Sequence, residues 1–259
     1  MPEKLRLDFG NLPLVEVALR ASFSQPLELT FSRINEIFAK LKDIFPHVTE
    51  PQTIEAAPGV SSEMAIGPGR ITGVAFSGDP SGRSVTLQSH VAVVRWLKQF
   101  IGNPPEYPRF PVMRDALWSV IGAAQDAYRL EAIPIPVVNM SYVNFIQVTD
   151  YSRVLEDYFS PLVRVGALAR ADEVRKVDLA WREADLDLRF RLEKVQATLG
   201  KETLDGCRLT TVAGTHVPAD GGDARESLDL VHNRLQVFFR DVISDQAKKE
   251  WDLREVSDD

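Results

Sequence analysis

From Leu14 to Phe23 apolar and polar residues alternate, with Val15, Val17, Leu19 and Ala21 on one face, the period of a half-buried strand. Ser24-Gln25-Pro26 ends it. From Phe31 the spacing changes to one helical stripe of Ile34, Ile37, Phe38, Leu41, Ile44 and Phe45, with Thr30 or Ser32 as N-cap and Pro46 closing it. Residues 51–69 are rich in Pro, Gly and Ser and predict only a short, irregular strand around Ser62–Ile66, with the GPG at 67–69 as a turn. Strands at Ile71–Phe76 and Ser84–Trp96 read as a hairpin joined through GDPSG, a run of turn formers.

The proline-dense stretch Pro104–Pro111 is a connector, followed by a helix over Val112–Tyr128 with Leu117, Val120, Ile121, Ala124 and Tyr128 at helical spacing. Pro134-Ile135-Pro136 blocks any continuation. Val138–Val148 (VVNMSYVNFIQV from Val137) alternates as a strand, then come a short helix (Tyr151–Phe159) and strands near 174–181, 186–197 and 207–217. A last helix starts after Gly221-Gly222, with Asp223 as N-cap and Glu226 three residues on, a capping-box pattern; its buried stripe is Leu228, Val231, Leu235, Phe238 and Val242.

Both halves therefore read strand, helix, strands, helix. This order predicts an α+β fold of two related halves, 1–133 and 134–259, each with an antiparallel sheet covered by helices, folded as one compact unit. Within the second half, VDLAWREADLDLRF predicts a hairpin with a four-residue loop, Arg182–Asp185. Trp181 would then face Leu186, Leu179 face Leu188 and Val177 face Phe190, with Asp178 opposite Arg189 on the polar side.

Composition narrows the function classes. A formal charge of -7 and a pI near 5.3 argue against global electrostatic binding of nucleic acid, which needs clustered Lys and Arg. Cys207 is the single cysteine, which leaves no disulfide framework within the chain and no thiolate metal cluster. The segment MPEKLRLDFGNLPLVEVAL interleaves charges with short apolar runs, unlike a signal peptide, and no run of the chain is long enough to cross a bilayer. The expectation is a cytoplasmic protein without membrane attachment.

Candidate chemistry is sparse. Asp178, Glu183, Asp185 and Asp187 are the densest carboxylates, yet alternation assigns them to a solvated sheet face and its turn rather than to a metal site. His47, His90, His216 and His232 fall in no HxH, HExxH or HxxxH arrangement, so no metal or cofactor is expected. No GxSxG elbow occurs, and Cys207 opens a predicted strand as a small core residue. Catalytic residues therefore stay unassigned. Lys176, Arg182, Arg189 and Arg191 make the most basic local surface, a candidate contact for an acidic ligand or partner, diluted by Asp178, Asp187 and Glu193. In the strand from Val138, Asn144 is the polar exception in an apolar row, and with Tyr142 it reads as a structural polar anchor whose buried amide should be hydrogen-bonded.

In order along the chain, LPLVEVALRASF, LQ followed by VRWLK, EYPRF, SYVNFIQV and VHNRLQVFFRDVISDQAKKEW resemble a sporadically distributed family of bacterial proteins of similar length. Such proteins are often found near mobile-element or phage-defence genes, so the resemblance implies an accessory role in phage defence, and it carries over no catalytic residues. The chain departs from the family pattern at Ser141, where a basic residue is usual before the Tyr-x-Asn, and at Asp252, where a glycine-like residue usually follows the final Trp.

The favoured reading is a non-enzymatic interaction protein, an adaptor or sensor with a protein partner, and self-association is compatible with it. A metal-dependent hydrolase or nuclease with a carboxylate site is the first alternative. A nucleic-acid or nucleotide binder using Lys176, Arg182, Arg189 and Arg191 is the second and is not favoured, because aromatics do not interleave with those arginines.

Overall fold

The computed structural model describes residues 5–9, 13–49, 71–98, 106–148, 154–159, 176–199, 202–219 and 221–257. The strand expected around Ser62–Ile66 and the turn at 67–69 lie outside them. In chain order the elements are β1 (Leu5–Phe9), β2 (Leu14–Ser22), α1 (Phe31–Leu41), β3 (His47–Thr49), β4 (Gly73–Ser77), β5 (Arg83–Gln88), β6 (Val91–Leu97) and α2 (Phe110–Tyr128). They continue with β7 (Val137–Gln147), α3 (Val154–Tyr158), β8 (Lys176–Glu183), β9 (Leu186–Leu199), β10 (Glu202–His216), α4 (Ala224–Val242), α5 (Asp245–Glu250) and β11 (Leu253–Ser257). The fold is mixed α and β, rich in antiparallel sheet. No described helix is long and apolar enough to cross a membrane.

The chain divides into two compact units, one of Ala18–Gln99 and Asn103–Val137, the other of Met1–Val17, Phe100–Gly102 and Val138–Asp259. In the first, the strand order is β3-β4-β5-β6, with β2 beside β6. The GDPSG turn joins β4 to β5 with Phe76 opposite Val85, as its turn formers predict. Asp79 organises that turn, accepting from the Ser81 backbone N–H at 2.9 Å while its own carbonyl accepts from Gly82 at 2.9 Å.

The run Ser84–Trp96 is not one strand. It folds back at Ser89-His90, so that Gln88 faces Val91 and Val85 faces Val94. Three consecutive polar residues, Gln88-Ser89-His90, break the alternation of the run, and the carbonyls of His90 and Ser89 accept from the backbone of Phe23 and Leu27, both at 2.8 Å.

Thr30 caps α1 through its hydroxyl, which accepts from the Arg33 N–H at 3.3 Å. The helix stops at Leu41, before Pro46, and leaves Ile44 exposed although Phe45 is buried. α2 ends in a Schellman arrangement: Arg129 is left-handed (φ 56°), its N–H bonds Asp126 O at 3.1 Å, and the Leu130 N–H bonds Gln125 O at 2.9 Å. The helix thus ends before Pro134-Ile135-Pro136 is reached.

In the second unit the strand order is β7-β10-β9-β8. The Val148 N–H bonds Asp205 O at 3.4 Å, and Gly214 sits against Asn139, so β7 and β10 run antiparallel. Asp223 caps α4, accepting from the Arg225 N–H at 2.7 Å, and the expected stripe of Leu228, Val231, Leu235, Phe238 and Val242 is buried. A core leucine such as Leu235 is worth about 2 to 5 kcal/mol against alanine. Phe159 and Phe190, both fully buried, meet edge to face at 5.3 Å between ring centroids. β1 and β11 form a separate two-stranded sheet that the alternation of short, charged segments did not announce.

The β8–β9 hairpin differs from its predicted register by two residues. Glu183 pairs with Leu186 across a two-residue loop of Ala184 and Asp185, Trp181 with Leu188, Leu179 with Phe190 and Val177 with Leu192. The faces are as expected because a shift of two preserves them. The partners change: Asp178 stands opposite Arg191, not Arg189. The tight turn was hidden because Ala184 takes φ 51° without the glycine or asparagine that normally marks such a loop.

In each unit a strand and a helix precede a meander whose last strand lies beside that first strand: β2 beside β6 with β5 and β4 beyond, and β7 beside β10 with β9 and β8 beyond.

Candidate functional site: a charged sheet face

Alternation along β9 sends Leu186, Leu188, Phe190 and Leu192 into the core and Asp187, Arg189, Arg191 and Glu193 to the other face. β8 contributes Lys176, Asp178, Ala180 and Arg182 to that face, and β10 contributes Arg208, which pairs in register with Glu193. The four basic residues singled out from sequence therefore share one surface.

Each of them has a carboxylate. Arg189 holds Asp178 through two bonds, Nε to Oδ1 at 2.7 Å and Nη2 to Oδ2 at 2.6 Å. Arg191 adds Nη2 and Nε to the same Oδ2 at 2.9 and 3.1 Å. Lys176 Nζ is 3.2 Å from Glu193, whose other oxygen accepts from Arg208 at 2.6 Å. Arg182 and Asp187 are 3.9 Å apart at the exposed hairpin end.

Hydrogen bonds from Arg189 first, and then from Arg191, hold the Asp178 carboxyl down to about 2 against the opposing effect of burial. The Arg208 hydrogen bond, seconded by Lys176, likewise lowers that of Glu193. Sequence reasoning missed Arg208, although its alternation on β10 places it on this face.

The other carboxylates of the acidic run do not converge with Asp178. Glu183 pairs with Arg234 of α4, and Asp185 lies in the turn. Among the described residues no three His, Cys, Asp or Glu side chains come together in a way that could hold a metal ion.

The two residues read as a polar anchor differ in their surroundings. The Tyr142 hydroxyl and His232 Nδ1 are 3.2 Å apart, which ties β7 to α4. Asn144 is buried as expected, 1% exposed, but neither its amide oxygen nor its nitrogen has a hydrogen-bond partner among the described residues. Counting between Val148–Asp205 and Asn139–Gly214 places Asn144 opposite Leu209 and Tyr142 opposite Thr211. Thr211 is fully buried, and its hydroxyl too has no hydrogen-bond partner among the described residues. Cys207, on the same buried face, has its thiol pushed up to about 11 by burial, which keeps it protonated and inert at neutral pH.

The other unit carries an open cleft of about 860 Å³ bordered by Glu28, Thr30, Arg33, Glu36, Tyr128 and Arg129. Arg33 bonds Ala127 O and Glu36 and lies over the Tyr128 ring at 5.4 Å, and the Tyr128 hydroxyl donates to Glu28 O at 2.6 Å. Burial raises the Tyr128 phenol, so it stays protonated.

Compared with known protein families and with curated proteins, the chain matches neither a family nor a curated protein.

Proposed function

We propose that this chain is a cytoplasmic interaction protein, a non-enzymatic adaptor or sensor that meets a protein partner through the charged face of β8, β9 and β10. The observation that carries the reading is the double engagement of Asp178 by Arg189 and Arg191. A phosphate would have to compete with a carboxylate already bonded to both guanidinia, whereas a protein surface of mixed sign can add to such a network without dismantling it. The resemblance of its ordered motifs to a bacterial family supports an accessory place in phage defence. The shared arrangement of a first strand beside the last strand of a meander supports a common origin for two related α+β halves.

The test has two arms. Affinity capture with the full chain as bait from its native host should retain a partner at moderate salt, and Arg189→Glu with Arg191→Glu should release it. Binding of a labelled single-stranded oligonucleotide at low salt, weakening steeply as salt rises and lost in the same variant, would replace this reading with nucleic-acid recognition.

A further inference from the structure

β8 ends the run β7-β10-β9-β8, and among the described residues no strand pairs with its outer side. Its hydrogen-bonding pattern follows from the two-residue loop. Glu183 and Leu186 close that loop as a hydrogen-bonded pair, so alternation turns the backbone of Val177, Leu179, Trp181 and Glu183 toward β9. The N–H and C=O groups of Asp178, Ala180 and Arg182 therefore point outward from the edge. An exposed edge of this kind is a template for another strand.

The edge is also marked by an aromatic. Trp181 is 37% exposed even though it packs edge to face on Phe238 of α4, with centroids 4.8 Å apart. Leu179 beside it is only half-buried.

We propose that β8 pairs antiparallel with β8 of a second copy of this chain. A two-fold axis that keeps each sheet face on its own side leaves two central registers. In the first, Leu179 sits on the axis, and Lys176 stands opposite the partner's Arg182, so that like charges face each other twice. In the second, Ala180 sits on the axis and Arg182 stands opposite the partner's Asp178. Charge selects the second register. It also sets Trp181 against the partner's Leu179 on the other face, covering the exposed indole, while the smallest side chain of the strand lies at the centre. Every outward backbone group of Asp178, Ala180 and Arg182 then gains a mate. This pairing is independent of the partner protein proposed above, and it is expected whether or not that partner exists.

Sedimentation equilibrium of the full chain tests it. The wild type should sediment at twice the 29.0 kDa chain mass at concentrations up to about 100 µM, where an interface with micromolar Kd is saturated. Ala180→Pro removes an outward N–H and leaves the β9 side of the strand untouched, so it should give the single-chain mass with an unchanged circular dichroism spectrum. Arg182→Glu, which sets two acids against each other in the chosen register, should do the same without any backbone change. A wild type of single-chain mass throughout overturns the proposal. So does a dimer that survives Arg182→Glu, since it would use another surface or the other register.

Discussion

Arg189 grips Asp178 in parallel, Nε and Nη2 to the two carboxylate oxygens at 2.7 and 2.6 Å, although the two residues are diagonal rather than opposite neighbours across β8 and β9. The carboxyl is held down to about 2, below its unfolded value of about 3.9. A depressed folded value contributes stability that is complete above the unfolded value and is lost as pH falls through the folded one. The window is therefore about pH 4 down to about pH 2. Solvent screening limits the contribution to about 1 kcal/mol. Asp178→Asn should be less stable than wild type by that amount at pH 6 in urea titration, with the difference shrinking as pH falls from about 4 through about 2. Parallel stability curves for the two proteins over this range would contradict the assignment.

Ala184 occupies a left-handed position, φ 51°, at the first residue of the β8–β9 loop. An L side chain there costs about 1 to 2 kcal/mol, and glycine gives part of the relief back by loosening the unfolded chain. Ala184→Gly should raise stability by about 0.5 to 1 kcal/mol, read as a higher urea midpoint at unchanged slope. A loss would mean that the loop gains more from alanine than its backbone geometry implies.

The same position explains what the sequence could and could not reveal. Alternation alone separated core from solvent on β7, β8 and β9, because burying one face enforces a period of two whatever the turn. The exact pairing depends on the turn, and a turn built on alanine carries no composition signal. Asp252 is a second such position, taking φ 52° after Trp251 without a glycine to mark it. The basic surface was legible as a set of residues, Lys176, Arg182, Arg189 and Arg191. So was its dilution by Asp178, Asp187 and Glu193; the double engagement of Asp178 by Arg189 and Arg191 was not, because it depends on the strand register, and Arg208 arrives from a third strand.

Asn144 and Thr211 carry buried polar atoms that no described residue satisfies. An unpaired buried group costs about 1 to 3 kcal/mol, whereas an apolar group of similar shape costs nothing of the kind. Thr211→Val keeps the branched shape and should raise the melting temperature, by an amount corresponding to about 1 kcal/mol. Asn144→Leu should act in the same direction. If either substitution destabilises the protein, its polar atoms have a partner in solution.

Two glycines should respond to alanine with opposite signs. At Gly206 in β10 an added Cβ would lie 2.5 Å from Phe145 Cζ and 2.8 Å from the Ile146 carbonyl oxygen. The ring can swing aside, but the carbonyl belongs to the neighbouring backbone, so the strand itself must move. Gly206→Ala should cost about 1 to 3 kcal/mol. Gly122 lies inside α2, and a Cβ there meets nothing within 4 Å. Gly122→Ala should therefore stabilise by about 0.5 to 1 kcal/mol, through helix propensity alone. Phe145→Ala combined with Gly206→Ala separates the two obstacles at Gly206. A double variant that recovers most of the loss places the conflict in the ring, and one that recovers little places it in the close approach of β7 and β10, which is the outcome the carbonyl distance predicts.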